Sequence, residues 1–281
     1  MTEPADTARQ FAGKIAVVTG GTQGLGETTA RLFARRGAAG LVLCGRQWEK
    51  GEAVARELSG SGVPTLFVKA DLFKVEDCRK VIADADAQFG KIHVLVNAAA
   101  VTDRGTILDT SPERFDLIFH VNVRAPFFLM QDALKIMLRE KIRGTIVNVA
   151  SMSSHGGQPF ITAYCASKGA LVTLTKNVAY AVLRNRIRVN CLNLGWMATP
   201  GEDRIMKTYH GAQDGWLREA EARQPFGRLI SPEEAARAIA FLASDESGLM
   251  TGSVVDFDQS VCGAYDAPPH PAAAVALAEA E

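Results

Sequence analysis

Residues 19–26 read Thr19-Gly20-Gly21-Thr22-Gln23-Gly24-Leu25-Gly26 and lie between an apolar run, residues 14–19, and a segment of helical periodicity, residues 24–36. The three glycines at 20, 24 and 26 allow a tight strand-to-helix turn in which the backbone approaches a bound phosphate closely. The following helix directs free N–H groups and the positive end of its dipole towards that phosphate. A glycine triplet also fits an ordinary turn, but its place after the first strand of a βαβ unit predicts a dinucleotide site.

Short apolar runs alternate with longer amphipathic segments from residue 14 to residue 258. The runs are rich in Val, Ile and Leu without clean alternation, which is typical of strands buried on both faces. Repeated β-α-β units predict an α/β fold, a Rossmann-like, doubly wound parallel sheet of about seven strands with helices on both faces. Predicted strands are 14–19, 40–44, 64–68, 92–97, 144–149, 188–192 and 253–257, and predicted helices are 24–36, 47–59, 75–89, 112–140, 163–184 and 232–244.

The rhythm of these elements predicts one domain, residues 13–265, between two flexible ends. Residues 1–12 form the expected flexible N-terminus, and residues 266–281, which begin with prolines and continue with alanines, form the expected flexible C-terminal tail. Residues 195–230, rich in Gly, Pro and charge, interrupt the rhythm and are interpreted as a lid over the substrate.

The composition excludes several classes of protein. Lys and Arg balance Asp and Glu at 31 each, so no net charge favours nucleic acid or an anionic membrane as a partner. The 5 cysteines and 5 histidines lack metal-ligand spacing, and no C-x-x-C pair occurs, so we expect no metal site and no disulfide framework. We find no apolar leader and no apolar run long enough to span a bilayer, and therefore expect a cytoplasmic protein.

A candidate catalytic set lies in the second half of the chain. Tyr164 and Lys168 are four residues apart on a predicted helix and so share a face. Ser151 ends the preceding strand, and Asn122 is a polar residue among apolar ones in the helix before it, where burial is costly without a partner.

Together these motifs resemble the short-chain dehydrogenase/reductase family, and the similarity runs from about Lys14 to Asp258. The glycine spacing is TGxxxGxG, and Asn122, Ser151, Tyr164 and Lys168 match the family's catalytic tetrad. The resemblance implies a nicotinamide dinucleotide held by the residues Gly20, Thr22, Gln23, Gly24, Leu25, Gly26, Arg46, Asp71, Leu72, Asn97, Ala99, Tyr164, Lys168, Gly195 and Thr199. The chain departs from the family in two turns: Asn97-Ala98-Ala99-Ala100 replaces Asn-Asn-Ala-Gly, and Leu194 replaces the proline before Gly195.

The chemistry of hydride transfer explains these residue types. A carbonyl that receives a hydride becomes an alkoxide, so a proton must move with it, and the resemblance gives this task to Tyr164. We expect the Lys168 ammonium to lower the phenol pKa, which is ordinarily near 10. The family implies that Lys168 also binds the nicotinamide ribose, that Ser151 donates to the substrate oxygen, and that Asn122 holds a water. Ser153 or Ser154 remain alternatives to Ser151.

The residues after the second strand predict the cofactor. Gly45 occupies the place of the acid that binds the ribose hydroxyls of NAD, and Arg46 follows, which favours NADP(H) over NAD(H). Two residues argue against this preference. Gln23 stands in the glycine motif where a second cation might be expected, and Glu49 is an acid that could repel the phosphate. A solvated Arg46 without a ligand is the other interpretation.

The lid is polar, which favours a small hydroxylated substrate such as a sugar or polyol, although its charges could equally face water. Candidate substrate contacts are Ser153, His155, Trp196 and Met197. The alternative functions are a 3-oxoacyl or other carbonyl reductase, an epimerase or dehydratase, and a dinucleotide-binding sensor without catalysis. Apolar residues on more than one side of helix 163–184 predict a homo-oligomer, a tetramer or dimer, that also involves helix 112–140.

Overall fold

The apolar runs form one parallel sheet in a computed structural model that describes residues 7–264. The strands lie in the order β3-β2-β1-β4-β5-β6-β7. Successive strands are added towards one side of the sheet from β1 to β3 and towards the other side from β4 to β7, which confirms the doubly wound fold. Every strand pair is parallel, so the carboxyl ends of all strands share one edge. The strands are β1 Ile15–Thr19, β2 Gly40–Gly45, β3 Thr65–Lys69, β4 Val94–Asn97, β5 Thr145–Ser151, β6 Arg188–Leu194 and β7 Val254–Phe257.

Helices cover both faces of the sheet. One hydrophobic cluster joins the sheet to α1, α2 and α9, and a second joins it to α3, α5 and α6. This arrangement keeps the strands dry on both sides, as their unbroken apolar sequences require. The helices are α1 Gly24–Arg35, α2 Trp48–Gly60, α3 Val75–Phe89, α4 Pro112–Phe119, α5 Ala125–Arg139, α6 Thr162–Ala181, α7 Pro200–His210, α8 Trp216–Ala222 and α9 Pro232–Ala243.

The single helix predicted over 112–140 is interrupted. A π-helical turn, His120–Arg124, separates α4 from α5. Pro126 explains the interruption, because a proline lacks an N–H and its ring clashes with the carbonyl four residues earlier, which here belongs to Asn122. The wider turn avoids this conflict and places Asn122 in the distorted segment, a position that π turns often give to functional residues.

The prediction of a flexible N-terminus over residues 1–12 is wrong for its last residues. Phe11 is fully buried, its ring stacks on Phe33 with 4.1 Å between centroids, and its N–H donates to the Arg36 carbonyl at 2.9 Å. The buried area of this ring and its stacking on Phe33 anchor the segment around Phe11 to the core. The predicted C-terminal tail, 266–281, lies outside the described residues.

The segment interpreted as a lid contains two helices, α7 and α8, rather than an extended loop. A small apolar cluster formed by Trp216, Ala220 and Leu229 supports them, with Trp196 and Met206 packed against it. Within residues 7–264, no helix is long and apolar enough to cross a membrane.

Candidate functional site

The glycine motif forms the turn between β1 and α1. A Cβ atom on Gly26 would lie 2.4 Å from the Gly20 carbonyl oxygen, so a side chain there is impossible. Gly20 has a φ of +70°, a conformation that favours glycine. The N-cap residue of α1, Gln23, makes no capping hydrogen bond with its side chain, so the first-turn N–H groups have no side-chain acceptor. This turn fits the pyrophosphate of a dinucleotide.

Thr19 organises the neighbouring turn after β4. Its hydroxyl oxygen accepts hydrogen bonds from the N–H groups of Ala98 and Ala99, each at 3.0 Å. These bonds hold the turn even though alanines replace the family's Asn and Gly. Asn97, which ends β4, donates to Asn148 Oδ1 at 2.8 Å, while its own Oδ1 has no partner among residues 7–264.

The residues predicted to bind the adenine side lie at the ends of β2 and β3. Arg46 is exposed and forms no ion pair with any described residue, so its guanidinium is free to meet a phosphate. Gly45 is tightly packed, since a Cβ atom there would lie 2.8 Å from Thr22 Cγ2. Asp71 accepts a hydrogen bond from the Phe73 N–H at 3.2 Å, and Leu72 is buried.

The residues predicted to meet the nicotinamide follow β6. Thr199 is the N-cap of α7 and accepts from the Glu202 N–H at 3.0 Å. A Cβ atom on Gly24 would lie 3.8 Å from Thr199 Cγ2, so the glycine turn and Thr199 are neighbours across the sheet edge. Gly195 is required for another reason, because a Cβ atom there would overlap the Asp258 carboxylate.

The candidate catalytic residues converge at the carboxyl edge of β5. Tyr164 and Lys168 lie on the face of α6 that packs on the sheet, with 8% and 2% of their surfaces exposed. Lys168 Nζ lies 5.6 Å from the centre of the Tyr164 ring and donates to the Val149 carbonyl at 2.8 Å. Ser151, the last residue of β5, is close enough to the Tyr164 hydroxyl to affect its ionisation.

Burial, rather than the neighbouring lysine, dominates the ionisation of Tyr164. Desolvation raises the pKa of Tyr164 to about 12, and a hydrogen bond with Ser151 acts in the opposite direction. Desolvation also lowers the pKa of Lys168 to about 8. The sequence predicts that Lys168 lowers the phenol pKa, but the overall shift of the Tyr164 pKa is upward, because burial is its largest cause.

Asn122 connects three parts of the site. Its Oδ1 accepts from the Val101 N–H at 2.8 Å, and its Nδ2 donates to the Val101 carbonyl at 2.9 Å and to Ser167 Oγ at 3.1 Å. The amide thus joins the loop after β4 to the helix that carries Lys168. Ser167 is not among the site residues predicted from the sequence, where its only signal is a small polar residue within a buried helical face.

The candidate substrate residues do not form one group. Ser153 lies beside the catalytic set, since its Oγ is 3.1 Å from Ser151 Oγ. His155 instead contacts Asp256, with 3.2 Å from its Nε2 to each carboxylate oxygen. Trp196 donates its indole N–H to Glu202 at 2.8 Å, while Met197 pairs with Ile230 and packs in the core.

The loop after β4 contacts the lid, a feature that the sequence analysis did not find. Arg104 Nε donates to His210 Nε2 at 3.0 Å, and the Tyr209 hydroxyl donates to Asp103 Oδ1 at 2.8 Å. Arg104 also lowers the pKa of Tyr164 slightly, so its charge is felt at the hydroxyl. These partners are over a hundred residues apart in sequence, and no local pattern could have indicated the contact.

Comparison with known proteins agrees with this geometry. The sequence model of a family described as enoyl-(acyl carrier protein) reductase matches residues 20–260. The chain belongs to the short-chain dehydrogenase/reductase family. It is accordingly an oxidoreductase that acts on CH–OH groups, and the predicted family and enzyme class are confirmed.

Several members of the family are similar along most of their length. A 3-oxoacyl-(acyl-carrier-protein) reductase of Thermotoga maritima is 32% identical over 88% of this chain and 96% of its own. An L-fucose dehydrogenase of Bos taurus is 32% identical over 87% of each chain. The structure of L-sorbose reductase from Gluconobacter frateurii, in complex with NADPH and L-sorbose, is 29% identical with a TM-score of 0.84 over 92% of this chain and 100% of its own.

Proposed function

We propose that the protein interconverts a small hydroxylated alcohol, a sugar or polyol, and its carbonyl form with NADP(H), and that Tyr164 transfers the proton. The observation that carries this proposal is the convergence of Tyr164, Lys168 and Ser151 at the carboxyl edge of the sheet, the edge that also carries the glycine turn. A dehydrogenase needs its proton donor next to the nicotinamide end of the cofactor, and a cofactor bound at the carboxyl edge of the sheet would support this role for these side chains.

Each residue of the set has a role that its contacts support. When bound, the nicotinamide supplies or accepts the hydride. In reduction, the Tyr164 hydroxyl donates its proton to the carbonyl oxygen as negative charge develops there, and Ser151 donates a hydrogen bond to the same oxygen. The Lys168 ammonium stabilises the tyrosinate left behind.

The high pKa of Tyr164 has a functional meaning in this proposal. A phenol with a pKa of about 12 holds its proton at neutral pH, so the proton is present for donation in the reductive direction. In the oxidative direction the tyrosine must first lose that proton, and the Lys168 ammonium favours this loss. Asn122 donates a hydrogen bond to Ser167 and so helps to hold the helix that carries Lys168.

The preference for NADP(H) over NAD(H) rests on Arg46. Its exposed guanidinium has no competing acidic partner among residues 7–264. Gly45 stands where NAD-dependent enzymes usually have an acid, so no carboxylate is present there to bind the ribose hydroxyls. The structure of the sorbose reductase relative contains NADPH, which supports the same cofactor class.

The substrate class rests on the polar surfaces between the lid and the loop after β4. The charges of Glu202 and Arg104 both act on the Tyr164 hydroxyl, and Asp103 and His210 take part in the contacts that join the loop after β4 to the lid. Only polar groups of a substrate would compensate for the desolvation of such charges. The names of the L-sorbose reductase and L-fucose dehydrogenase relatives refer to sugars, which agrees with this class.

A 3-oxoacyl substrate is the second candidate. The description of the matching family and the Thermotoga maritima reductase favour it. The same site would reduce a 3-oxo group by the same proton transfer, so the residues of the tetrad do not separate the two substrates. A sensor without catalysis is less well supported, because all four tetrad positions are present.

We also propose that the protein is a cytoplasmic homo-oligomer. Large apolar side chains remain exposed on α5 and around the end of α6, namely Phe127, Leu138, Tyr180 and Leu183. A partner subunit would cover them. The expected second apolar face of α6, Val172, Ala179 and Ala181, is smaller than predicted, because Ala179 is buried in the core and Val172 packs against a small buried cluster. All five cysteines are free, as a reducing compartment requires.

The test is a spectrophotometric screen with both NAD(H) and NADP(H). Sugars, polyols and their keto forms are compared with acetoacetyl thioesters and simple aromatic ketones. Turnover of sugars or polyols, with the higher kcat/KM for NADP(H), supports the proposal. Turnover of thioesters alone supports the second candidate, and binding of the cofactor without turnover on any of these compounds supports a sensor.

A further inference from the structure

A cluster of His155, Asp256 and Cys262 lies at the carboxyl edge of the sheet, beside the catalytic residues but separate from them. His155 ends the short helical segment Met152–His155 that follows β5. Asp256 belongs to β7, where it pairs with Asn193 of β6, and Cys262 lies in a turn shortly after that strand. Nitrogen, oxygen and sulfur ligands thus meet from the segment after β5, from β7 and from the turn after β7.

We propose that these three side chains bind a divalent transition metal such as Zn²⁺. The candidate ligand atoms all lie within 4.8 Å of one another, and His155 Nε2 is 3.2 Å from each oxygen of Asp256. Around a tetrahedral Zn²⁺ with bonds of about 2.0–2.1 Å, neighbouring N and O ligands are roughly 3.3 Å apart. The His155–Asp256 pair already has this separation, and Cys262 is exposed in its turn, so its side chain can rotate towards the pair.

The donor set selects the class of metal. A thiolate is a soft ligand that favours Zn²⁺ and related ions over Mg²⁺ or Ca²⁺, and an imidazole suits the same group. Three protein ligands leave a fourth position for water or another side chain. The spacing of these residues in the sequence predicts no metal site, because the ligands are far apart in the chain and only the sheet brings them together.

Asn193 provides a second observation at this place. It is fully buried, and its Nδ2 donates to Asp256 Oδ1 at 2.9 Å and lies 3.3 Å from His155 Nε2. Its Oδ1 has no hydrogen-bond partner within residues 7–264. Rotation of the amide would direct this unpartnered oxygen at the cluster as a fourth ligand. Without rotation, the amide orients the Asp256 carboxylate from behind, as groups around metal ligands commonly do.

Metal binding at this cluster would reach the catalytic residues through a short path. His155 and Ser153 share the segment Met152–His155, and Ser153 Oγ is 3.1 Å from Ser151 Oγ. A metal that joins His155 to β7 therefore restrains the segment next to Ser151. Because the metal binds the folded protein only, it should also raise the melting temperature.

The full-length protein, treated with a chelator and dialysed, is titrated with Co²⁺ and then with Zn²⁺. We expect one Co²⁺ per chain, with a thiolate-to-cobalt charge-transfer band in the near ultraviolet and the visible bands of a four-coordinate ion, all of which Zn²⁺ abolishes. Cys262→Ser should lose the charge-transfer band, and His155→Ala should weaken binding by about tenfold or more. Cys165→Ser is the matched control and should retain the band.

The proposal is overturned if saturating Co²⁺ gives no thiolate band in the wild type, or if the band persists in Cys262→Ser. Since His155 and Cys262 are exposed, both variants should fold, and circular dichroism with a melting curve verifies this before titration. A wild type whose melting temperature does not respond to Zn²⁺ also counts against the site. These readouts do not depend on the enzyme's substrate, so they fail or succeed separately from the proposed activity.

Discussion

Lys168 donates a hydrogen bond of 2.8 Å from its Nζ to the carbonyl oxygen of Val149, near the carboxyl end of β5. Only 2% of the Lys168 surface is exposed, and burial lowers its pKa to about 8. Among the described residues, no carboxylate forms an ion pair with it. The protein therefore holds a costly, nearly isolated cation where the proposed chemistry uses one.

Lys168→Met should stabilise the protein at neutral pH. Below pH 8 the lysine is charged in both the folded and the unfolded chain, and the folded chain alone bears the cost of its desolvation. Between pH 8 and the ordinary lysine pKa of about 10.4, the unfolded chain binds more protons, so this cost disappears as pH rises. We expect the variant's free energy of unfolding to exceed that of the wild type by about 1–3 kcal/mol at pH 7.

The measurement is urea unfolding of both proteins at several values between pH 7 and pH 10. The difference in the free energy of unfolding should shrink with rising pH. In the wild type, Lys168 becomes neutral and its desolvation no longer destabilises the folded state, whereas the variant has no such group. Lys176→Met, an exposed lysine on the same helix, is the control and should show no such dependence. A difference that is constant with pH would contradict the lowered pKa.

Tyr164→Phe should abolish most turnover while leaving the fold and cofactor binding intact, because only the transferable proton is lost. The expected fall in kcat is about 10²–10⁴-fold. Steady-state kinetics on the best substrate of the screen and a fluorescence titration with NADPH measure the two effects. Tyr180→Phe, 82% exposed on the same helix, should behave like the wild type. Near-normal kcat in a folded Tyr164→Phe enzyme would remove Tyr164 from the proposed mechanism.

Thr19→Val should destabilise the turn after β4. The change keeps the shape of the side chain but leaves the N–H groups of Ala98 and Ala99 without their acceptor, at a cost of about 1–3 kcal/mol. Cofactor affinity should fall as well, because Ala99 packs against Gly20, where a Cβ atom would lie 3.2 Å from Ala99 Cα.

Thr29→Val is the matched control for this prediction. Thr29 is as buried as Thr19, but its hydroxyl has no hydrogen-bond partner among residues 7–264. Replacing that hydroxyl with a methyl group should leave stability unchanged or raise it. Chemical unfolding of the two variants checks the contrast, and equal losses in both would show that the Thr19 hydrogen bonds contribute nothing specific.

Arg46→Ala should reduce the preference for NADP(H). A charge-assisted hydrogen bond to the 2′-phosphate contributes about 1.5–3 kcal/mol, which corresponds to roughly a ten- to hundredfold change in kcat/KM for NADP(H) and little change for NAD(H). Arg56→Ala, another exposed arginine close by on α2, is the control. A wild type that prefers NAD(H), or an Arg46→Ala variant with unchanged use of NADP(H), would show that Arg46 does not select the cofactor.

Local sequence patterns determined the class of fold and the order of its elements. Unbroken apolar runs need burial on both faces, and the intervening helical segments provide it, so the doubly wound sheet follows from the sequence alone. The glycine turn and the pairing of Tyr164 with Lys168 could also be predicted, because both depend on neighbours within one turn and one helix. The family follows from these motifs, since their spacing is a property of the chain.

Tertiary structure decided whatever depends on contacts between distant residues. Phe11, which lies in the segment predicted to be flexible, is buried in the core. The steric conflict between Pro126 and the preceding turn is relieved by the π-helical turn that contains Asn122. Desolvation reversed the expected shift in the Tyr164 pKa, because burial is a property of the assembled sheet and helices and not of the sequence near a residue. The meeting of His155 with Asp256, 101 residues away, likewise exists only because β5, β6 and β7 end at the same edge.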